Sequence, residues 1–256
     1  MKNFMNYRLY FISTIIIILL IYVNSGKIIS VQKNETKPPH CNFSCDIFRV
    51  NPKIHQIEMY WRDDTNHIFG SIGALKNYLE ENDKELLFAT NGGMYHKERD
   101  PVGLYIEKGI EFKKLDTTSD KGNFYKKPNG VFYVGFKTFG IIETMKYNTI
   151  KDSIIYATQS GPLLVFDNQL HPSLDPLSKH KYIRSGVGIN SKNEVVFAIS
   201  DIDVTFYCFA TYFRSELDCK NVLYLDGDIS KMYIEGTPRQ NLDGNLGPII
   251  AIMRKK

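Results

Sequence analysis

The segment GVGINSKNEVVFAI, residues 186–199, contains two apolar runs that flank the polar stretch Asn190-Ser191-Lys192-Asn193. Short apolar runs separated by turn-forming residues are typical of two antiparallel strands joined by a hairpin. This stretch therefore predicts a sheet in which the chain returns on itself directly, without a helical crossover.

Three other segments repeat this pattern. Their turns are centred on Glu107-Lys108-Gly109, on Gly135 and on Asp167-Asn168. The apolar runs that lead into these turns occupy residues 104–106, 131–134 and 163–166. Four hairpins along one chain predict that most strands pair antiparallel.

Two segments predict helices. Ser71 precedes a stretch with Leu75, Tyr78 and Leu79 on one helical face, as in an amphipathic helix capped by a serine. Residues 204–217 are rich in aromatic side chains with the same periodicity. The expected fold class is α+β, with mostly antiparallel sheets built from hairpins and a few flanking helices.

The composition is that of a globular chain with a sizeable core, because 43% of its residues are hydrophobic and 13% are aromatic. The formal net charge is +4, and Lys2, Arg8 and Lys27 carry three of those charges, which leaves +1 for the remainder. A nearly neutral body gives no electrostatic reason to expect a nucleic-acid partner.

The N-terminus carries Lys2 and Arg8 before an uncharged apolar run from Phe11 to Val23. A run of this length is typical of a signal peptide and short for a membrane-spanning helix. Residues 1–26 are therefore expected to be a signal peptide, with an N-terminal membrane anchor as the alternative. In either case the protein is exported, to the periplasm or the extracellular space, and membrane attachment would be through this segment.

Residues 27–40 are polar, contain Pro38-Pro39 and are expected to form a linker, followed by one domain over residues 41–256. Its four cysteines fit an oxidising compartment and allow three pairings of two disulfides. They are Cys41, Cys45, Cys208 and Cys219. A bond between Cys208 and Cys219 is disfavoured, because eleven residues of helix span about 16 Å, which is beyond the reach of a disulfide. One disulfide, or structural thiols, is expected.

The apolar run Val222-Leu223-Tyr224-Leu225 leads directly into Asp226-Gly227-Asp228-Ile229-Ser230. A run of strand length that ends in a carboxylate, a glycine and a hydroxyl indicates where a sheet meets a polar pocket. An Asp-Gly pair is also a common turn, so this junction alone leaves both interpretations open. Asp226 is the first candidate for a reacting group.

Other polar, glycine-containing segments also lie at the ends of predicted strands. They are Asn91-Gly92-Gly93, Asn129-Gly130, Gln159-Ser160-Gly161-Pro162 and Arg184-Ser185-Gly186. Glycines let backbone amides approach a ligand closely, and successive N–H groups can form a concave anion site. An arginine at such an edge is either a surface charge or a fork for phosphate or carboxylate.

Taken in order, these segments resemble the phosphodiester glycosidase family, whose domain is shared by many bacterial exported proteins and by the lysosomal mannose 6-phosphate uncovering enzyme. The resemblance covers roughly residues 41 to 256 and rests on several separated motifs. The motifs are NGGMY at 91–95, PVGLY at 101–105, GNF at 122–124, PNGVF at 128–132, QSGP at 159–162, Arg184 with Gly188-Ile189, and Leu225-Asp226-Gly227 with Ser230.

The resemblance implies hydrolysis of a sugar 1-phosphodiester, of the GlcNAc-1-phosphate diester kind, at its glycosidic bond. Because phosphate is a good leaving group, a carboxylate beside C1 and donors on the phosphate matter more than strong acid assistance. The catalytic residues it implies are Asp226 as nucleophile or base, Arg184 as the phosphate clamp, and Asn91, with the amides of residues 91–93 assisting.

Eight further residues are expected to bind sugar hydroxyls or phosphate oxygens or to line the pocket. They are Gly92, Gly93, Asn129, Gln159, Ser160, Gly161, Gly227 and Ser230. Three titratable residues are spare candidates for a second acid or base or are ordinary loop residues: His96, Asp100 and Asp201.

Two positions depart from the family pattern. Many members have a second glycine where this chain has Asp228, and many have an aromatic residue where it has Met94. An extra carboxylate near Asp226 would repel phosphate unless it is protonated or paired, so the substrate can differ even where the reaction class is retained.

No motif requires a cofactor. Asp226 and Asp228 could share a divalent cation, but no further oxygen ligands are evident nearby, and His40 with Cys41 and Cys45 lacks a second ligand pair. The expected partner is a sugar-phosphate or glycan substrate. The alternative function is a non-catalytic envelope glycan- or phosphoglycan-binding module, or an accessory protein in exopolysaccharide biosynthesis.

Overall fold

A computed structural model describes residues 41–51, 53–150, 154–226 and 229–255. The expected signal peptide or anchor (1–26) and linker (27–40) lie outside these residues. None of the helices within the described ranges has the length and apolar character needed to cross a membrane.

The described residues form fifteen strands, two α-helices and a 3-10 helix at Thr144–Thr149. The strands are β1 Cys45–Arg49, β2 His55–Tyr60, β3 Leu86–Asn91, β4 Tyr105–Glu107, β5 Ile110–Lys113, β6 Gly130–Gly135, β7 Phe139–Glu143, β8 Ile154–Ser160, β9 Leu163–Phe166, β10 Gln169–Leu170, β11 Ser185–Asn190, β12 Val195–Ser200, β13 Cys219–Tyr224, β14 Met232–Ile234 and β15 Ile249–Arg254. The helices are α1 Ile72–Glu81 and α2 Phe206–Ser215.

The strands form three sheets, and the pairings within them are antiparallel. The six-stranded sheet has the order β1-β12-β11-β13-β9-β10, the four-stranded sheet β14-β3-β15-β2, and the five-stranded sheet β5-β4-β8-β6-β7. The four predicted hairpins are confirmed as β4/β5, β6/β7, β9/β10 and β11/β12. Turn chemistry is local, which is why the sequence identifies these pairings directly.

Both predicted helices are present. Ser71 Oγ accepts from the Ala74 amide at the start of α1, and Thr205 Oγ1 accepts from the Cys208 amide at the start of α2. Helices account for 12% of the described residues and strands for 39%, so mostly antiparallel sheets with flanking helices are confirmed. The expected α+β class is better described as mainly β, because each helix has only ten residues.

The three sheets meet at aromatic side chains. Phe197 of the six-stranded sheet packs against Phe88 of the four-stranded sheet, with ring centroids 4.9 Å apart, and against Phe132 of the five-stranded sheet at 5.9 Å. All three rings are fully buried. Because one ring comes from each sheet, this contact joins the three sheets in one core.

Side chains at the end of β13 alternate between the two faces of the six-stranded sheet. Leu223 and Leu225 belong to the core between the sheets, whereas Val222 and Tyr224 pack on the opposite face with α2. Continuation of this alternation places Asp226 on the α2 side of the six-stranded sheet.

A disulfide joins Cys41 to Cys208 in α2, with Cα atoms 5.3 Å apart, and Cys45 and Cys219 are free thiols. The expectation of one disulfide is confirmed, and Cys208 does not pair with Cys219. The bond attaches the first described residues to α2 across a sequence separation of 167 residues. Long loops of this kind restrict the unfolded chain strongly when they are closed.

We expect Cys208→Ser to lower the free energy of unfolding by about 2–4 kcal/mol, because the unfolded chain loses a long-range cross-link. Urea unfolding under oxidising conditions measures this change. Cys45→Ala is the matched control, since it removes a free thiol and leaves the bond intact. Equal stabilities of the wild type and Cys208→Ser would contradict a stabilising role for the disulfide.

Glu107 is a buried carboxyl group between the four-stranded and five-stranded sheets. It accepts from the Tyr105 hydroxyl at 2.7 Å and from the Trp61 amide at 3.2 Å. Its pKa is raised above the ordinary value, first by burial, with Glu58 adding to the shift and Lys108 opposing it. A raised pKa means that ionisation of Glu107 destabilises the fold as pH rises through the folded-state pKa.

We expect Glu107→Gln to be more stable than the wild type at neutral pH, because an amide oxygen can accept both hydrogen bonds without a buried charge. The advantage should shrink as pH falls from the folded-state pKa toward the ordinary value of about 4.3, and should no longer change below that value, where the unfolded carboxyl is also protonated. Melting temperatures of both proteins between about pH 4 and 8 measure this difference. A difference in melting temperature that does not change with pH would contradict a raised pKa of Glu107.

Candidate functional site

Asn91, the last residue of β3, is fully buried, and its side chain bonds three other segments. Its Nδ2 donates to the Asp226 carbonyl at 2.8 Å. Its Oδ1 accepts from Ser185 Oγ at 3.0 Å and from the Lys231 amide at 3.1 Å. In this arrangement Asn91 positions the Asp226 backbone and is closed off from solvent, which differs from the expected catalytic role.

Asp226 follows β13 closely and is bonded through its backbone on both sides. Its amide donates to the Gly92 carbonyl at 3.3 Å, and its carbonyl accepts from Asn91. The residue is partly exposed. A carboxylate with a fixed backbone and access to solvent fits a group that acts on a bound substrate.

The register of β11 and β13 sets Asp226 opposite Arg184. The two strands pair Gly186 with Tyr224, and the Leu225 amide continues the ladder with a 3.2 Å hydrogen bond to β11. Extension of this register by one residue beyond the Leu225 bond pairs Arg184 with Asp226. Directly opposed residues in antiparallel strands have Cβ atoms about 4.5–5.5 Å apart, so we infer that the two residues are neighbours, although no contact between their side chains is among those described.

Arg184 is 2% exposed, and its guanidinium carbon lies 3.7 Å from the centroid of the Phe206 ring. It donates to the Val204 and His180 carbonyls at 2.8 and 3.3 Å and to the Tyr224 hydroxyl at 3.1 Å. Burial lowers the pKa of Arg184, but arginine stays charged in proteins. Within the described ranges it has no carboxylate at ion-pair distance, and two of its five N–H groups lack an acceptor.

The backbone amides of residues 91–93 are already bonded within the protein. The Gly92 amide donates to the Pro248 carbonyl at 2.7 Å, and the Gly93 amide donates to Thr158 Oγ1 at 3.0 Å. A Cβ at Gly93 would lie 2.2 Å from the Gln159 carbonyl oxygen, so this glycine permits close packing of two strands. These amide hydrogens are bonded within the protein, and their expected contact with phosphate stays a prediction.

Gln159 and Ser160 at the end of β8 are also buried. Gln159 Oε1 accepts from the Leu104 and Asp116 amides at 2.9 Å each, and its Nε2 donates to the Asp116 carbonyl at 2.6 Å. Ser160 Oγ is buried without a partner among the described residues. Gln159 therefore joins the 104 and 116 segments, which differs from its expected role as a substrate contact.

Asn129 and Gly161 hold the loop that precedes β6. Asn129 Nδ2 donates to the Phe124 carbonyl at 2.9 Å, and a Cβ at Gly161 would lie 2.5 Å from that same oxygen. Both residues are buried. They therefore position the loop that contains Phe124 and are not open to a ligand.

Ser230 is partly exposed, and its Oγ donates to the Ile183 carbonyl at 3.1 Å, next to Arg184. Gly227 and Asp228 lie outside the described residues, so the cation that Asp226 and Asp228 could share stays a prediction. Ser230 Oγ also lies 3.4 Å from the Asp226 carbonyl, so among the predicted pocket residues that the structure describes it is the one bonded to both of these segments.

The three spare titratable residues do not join this group through any described contact. Asp100 pairs with Lys113 at 3.4 Å, and Asp201 accepts from the Ser44 hydroxyl and amide. These Ser44 bonds lower the pKa of Asp201. The His96 amide donates to the Asp100 carbonyl at 2.9 Å, in the loop after β3.

Four residues around Arg184 have no assigned role in the sequence pattern: Lys126, Tyr182, Phe206 and Tyr224. The Lys126 ammonium lies 5.4 Å from the Phe206 centroid, and the Tyr182 centroid lies 5.5 Å from the guanidinium carbon. In the sequence, Phe206 and Tyr224 look like core residues of a helix and a strand. The alternation from Tyr224 to Asp226 is the signal that could have identified Tyr224.

A cavity of about 610 Å³ shares the residue Val204 with the surroundings of Arg184. Val204, whose carbonyl accepts from Arg184, lines it, together with Lys179 and Lys181. Exposed apolar side chains at Leu177 and Ile202 form part of its wall. The cavity is thus next to a residue that bonds Arg184, and Asp226 is not one of its lining residues.

We expect Asn91→Ala to lower the free energy of unfolding by about 3 kcal/mol, because it leaves several buried polar groups without partners. Ser185→Ala is the matched control, since it removes one donor to Asn91 and should cost about 1 kcal/mol. Urea unfolding measures both. A smaller loss in Asn91→Ala than in Ser185→Ala would show that Asn91 is not the centre of this network.

A family model for phosphodiester glycosidases matches residues 84–251. The uncharacterized protein YigE of Escherichia coli (strain K12) is 38% identical over 189 residues, which cover 74% of each chain. The residues matched by the family model include Asn91, Arg184 and Asp226.

Solved structures share the fold at low identity. The catalytic domain of zebrafish N-acetylglucosamine-1-phosphodiester alpha-N-acetylglucosaminidase, auto-inhibited by its pro-peptide, has a TM-score of 0.50 and 11% identity, over 83% of this chain and 88% of that one. A hypothetical protein from Synechocystis has a TM-score of 0.54 and 11% identity, over 83% and 59%. A candidate exported protein of Burkholderia pseudomallei K96243 has a TM-score of 0.52 and 8% identity, over 81% and 73%.

At these identities the solved structures show the fold alone, whereas the family model and the YigE match show common descent over most of the domain. The resemblance expected from the separated motifs is therefore confirmed for residues 84–251. The chain belongs to the phosphodiester glycosidase family.

Proposed function

We propose that this protein is an exported hydrolase that cleaves a sugar 1-phosphodiester at the glycosidic bond between C1 and oxygen. The observation that carries the proposal is the register of β11 and β13, whose extension beyond the Leu225 bond pairs the partly exposed Asp226 with the buried Arg184. Membership in the phosphodiester glycosidase family supports the reaction class. A GlcNAc-1-phosphodiester is the substrate we propose to test first.

Asp226 can act in two ways. As a nucleophile, its carboxylate attacks C1 while the C1–O bond breaks and the electron pair leaves with the phosphomonoester. Water then hydrolyses the glycosyl ester, gives a proton to solvent and releases the sugar. As a base, Asp226 instead takes the proton of a water that attacks C1 directly. The first route retains the configuration at C1 and the second inverts it, so NMR of the fresh product separates them.

Arg184 supplies a fixed positive charge for the departing phosphate. Three protein acceptors and the Phe206 ring hold its guanidinium, so it needs little reorganisation when negative charge develops on the leaving group. Burial excludes water from around this charge, which strengthens its interaction with an anion nearby.

The proposed export rests on the N-terminal sequence. Two cationic residues, Lys2 and Arg8, precede the apolar run from Phe11 to Val23, in the order of a signal peptide. The disulfide between Cys41 and Cys208 supports an oxidising compartment, because cytosolic thiols are kept reduced.

We expect Asp226→Asn to lower kcat on a GlcNAc-1-phosphodiester by at least about 10³-fold, because an amide can neither attack C1 nor accept a proton from water. Release of the phosphomonoester measures turnover, and circular dichroism checks the fold. Asp100→Asn is the control, since its carboxylate pairs with Lys113 and should leave kcat within about twofold.

Near-normal turnover by Asp226→Asn would remove this residue from the mechanism. Binding of the diester by the wild type, with no product after long incubation, would favour the glycan-binding alternative over the hydrolase.

A further inference from the structure

Lys126 is a cation next to the Phe206 ring, on which the Arg184 guanidinium also packs. Its side chain is exposed, and it makes no hydrogen bond or ion pair with the residues that the structure describes. The adjacent Lys127 differs, because its Nζ donates to the Thr117 carbonyl at 2.8 Å and to Ser119 Oγ at 3.1 Å. Of these two neighbours, Lys126 is the one available to a ligand.

Contacts with neighbouring residues hold the backbone of the loop that carries Lys126. Asn129 donates to the Phe124 carbonyl, and the Lys126 amide donates to the Asn123 carbonyl at 3.2 Å. Gly161 admits the Phe124 carbonyl to close range, where a side chain would clash. Because the backbone is fixed on both sides of Lys126, its side chain extends from a fixed point, and its ammonium group lies next to the Phe206 ring.

Phe206 places the charges of Lys126 and Arg184 close to each other. The ammonium lies 5.4 Å and the guanidinium carbon 3.7 Å from the same ring centroid, so the two charges are no more than about 9 Å apart. This upper limit is comparable to the Debye length of about 8 Å at physiological ionic strength, so salt screens the repulsion between the two charges only in part. An anion between them would turn this repulsion into attraction on both sides.

We propose that Lys126 is a second phosphate-binding residue, which reaches from the 122–128 loop across Phe206 to an anion that Arg184 stabilises from the buried side. This inference rests on the proposed function for its substrate, a sugar phosphodiester. The two cations have different tasks: Arg184 is preorganised and inaccessible to solvent, whereas Lys126 is exposed and can follow the phosphate as it enters and leaves.

Binding of inorganic phosphate tests the inference without requiring turnover. Isothermal titration of the full-length protein should show that Lys126→Ala weakens phosphate binding by about tenfold, because a charge-assisted contact is lost. Lys127→Ala is the matched control and should bind within about twofold of the wild type, since its ammonium is bonded elsewhere. Lys126→Arg should restore most of the affinity, because it returns the charge.

The same four proteins are then assayed on the GlcNAc-1-phosphodiester. We expect Lys126→Ala to raise KM by about tenfold and Lys127→Ala to leave it nearly unchanged. Unchanged phosphate affinity in Lys126→Ala, equal losses in the two alanine variants, or no phosphate binding by the wild type would each overturn the assignment. A wild type that binds phosphate through Lys126 but releases no sugar would support the anion site and contradict the proposed hydrolase.

Discussion

The candidate site depends on the hydrogen bonds of the Asn91 side chain. This single buried amide group joins the end of β3 to the Asp226 carbonyl, to Ser185 in β11 and to the Lys231 amide. A buried polar group without a hydrogen bond lowers the stability of the folded state, so the Asn91 side chain must form these bonds once β3 is buried. They connect the four-stranded and six-stranded sheets at the point where Asp226 leaves the core.

The site has two parts: buried residues that are hydrogen-bonded within the protein, called the framework here, and residues with access to solvent. The framework contains Asn91, Gln159 and Arg184, whose polar atoms bond other parts of the chain. The exposed surface contains Asp226 and Lys126, which have access to solvent. A framework with internal hydrogen bonds holds charged groups in place before a substrate arrives, which is how preorganised electrostatic stabilisation operates.

The sequence predicts well what is decided locally. Hairpins such as β11/β12 follow from turn residues next to apolar runs, and the Ser71 cap follows from one side chain. The bonds of Asn91 connect residues up to 140 positions apart, and no local pattern reveals them. A glycine in the sequence likewise indicates that another group approaches the backbone closely, but it does not identify that group. At Gly93 the neighbour is the Gln159 backbone and not a phosphate.

The most direct test of the account is a crystal structure of the Asp226→Asn variant with a GlcNAc-1-phosphodiester bound. The account predicts that C1 lies beside residue 226 and that the phosphate lies on the Phe206 side, within hydrogen-bond reach of Lys126 and close to Arg184. A diester bound in the cavity lined by Leu177 and Lys179, with C1 remote from residue 226, would contradict it.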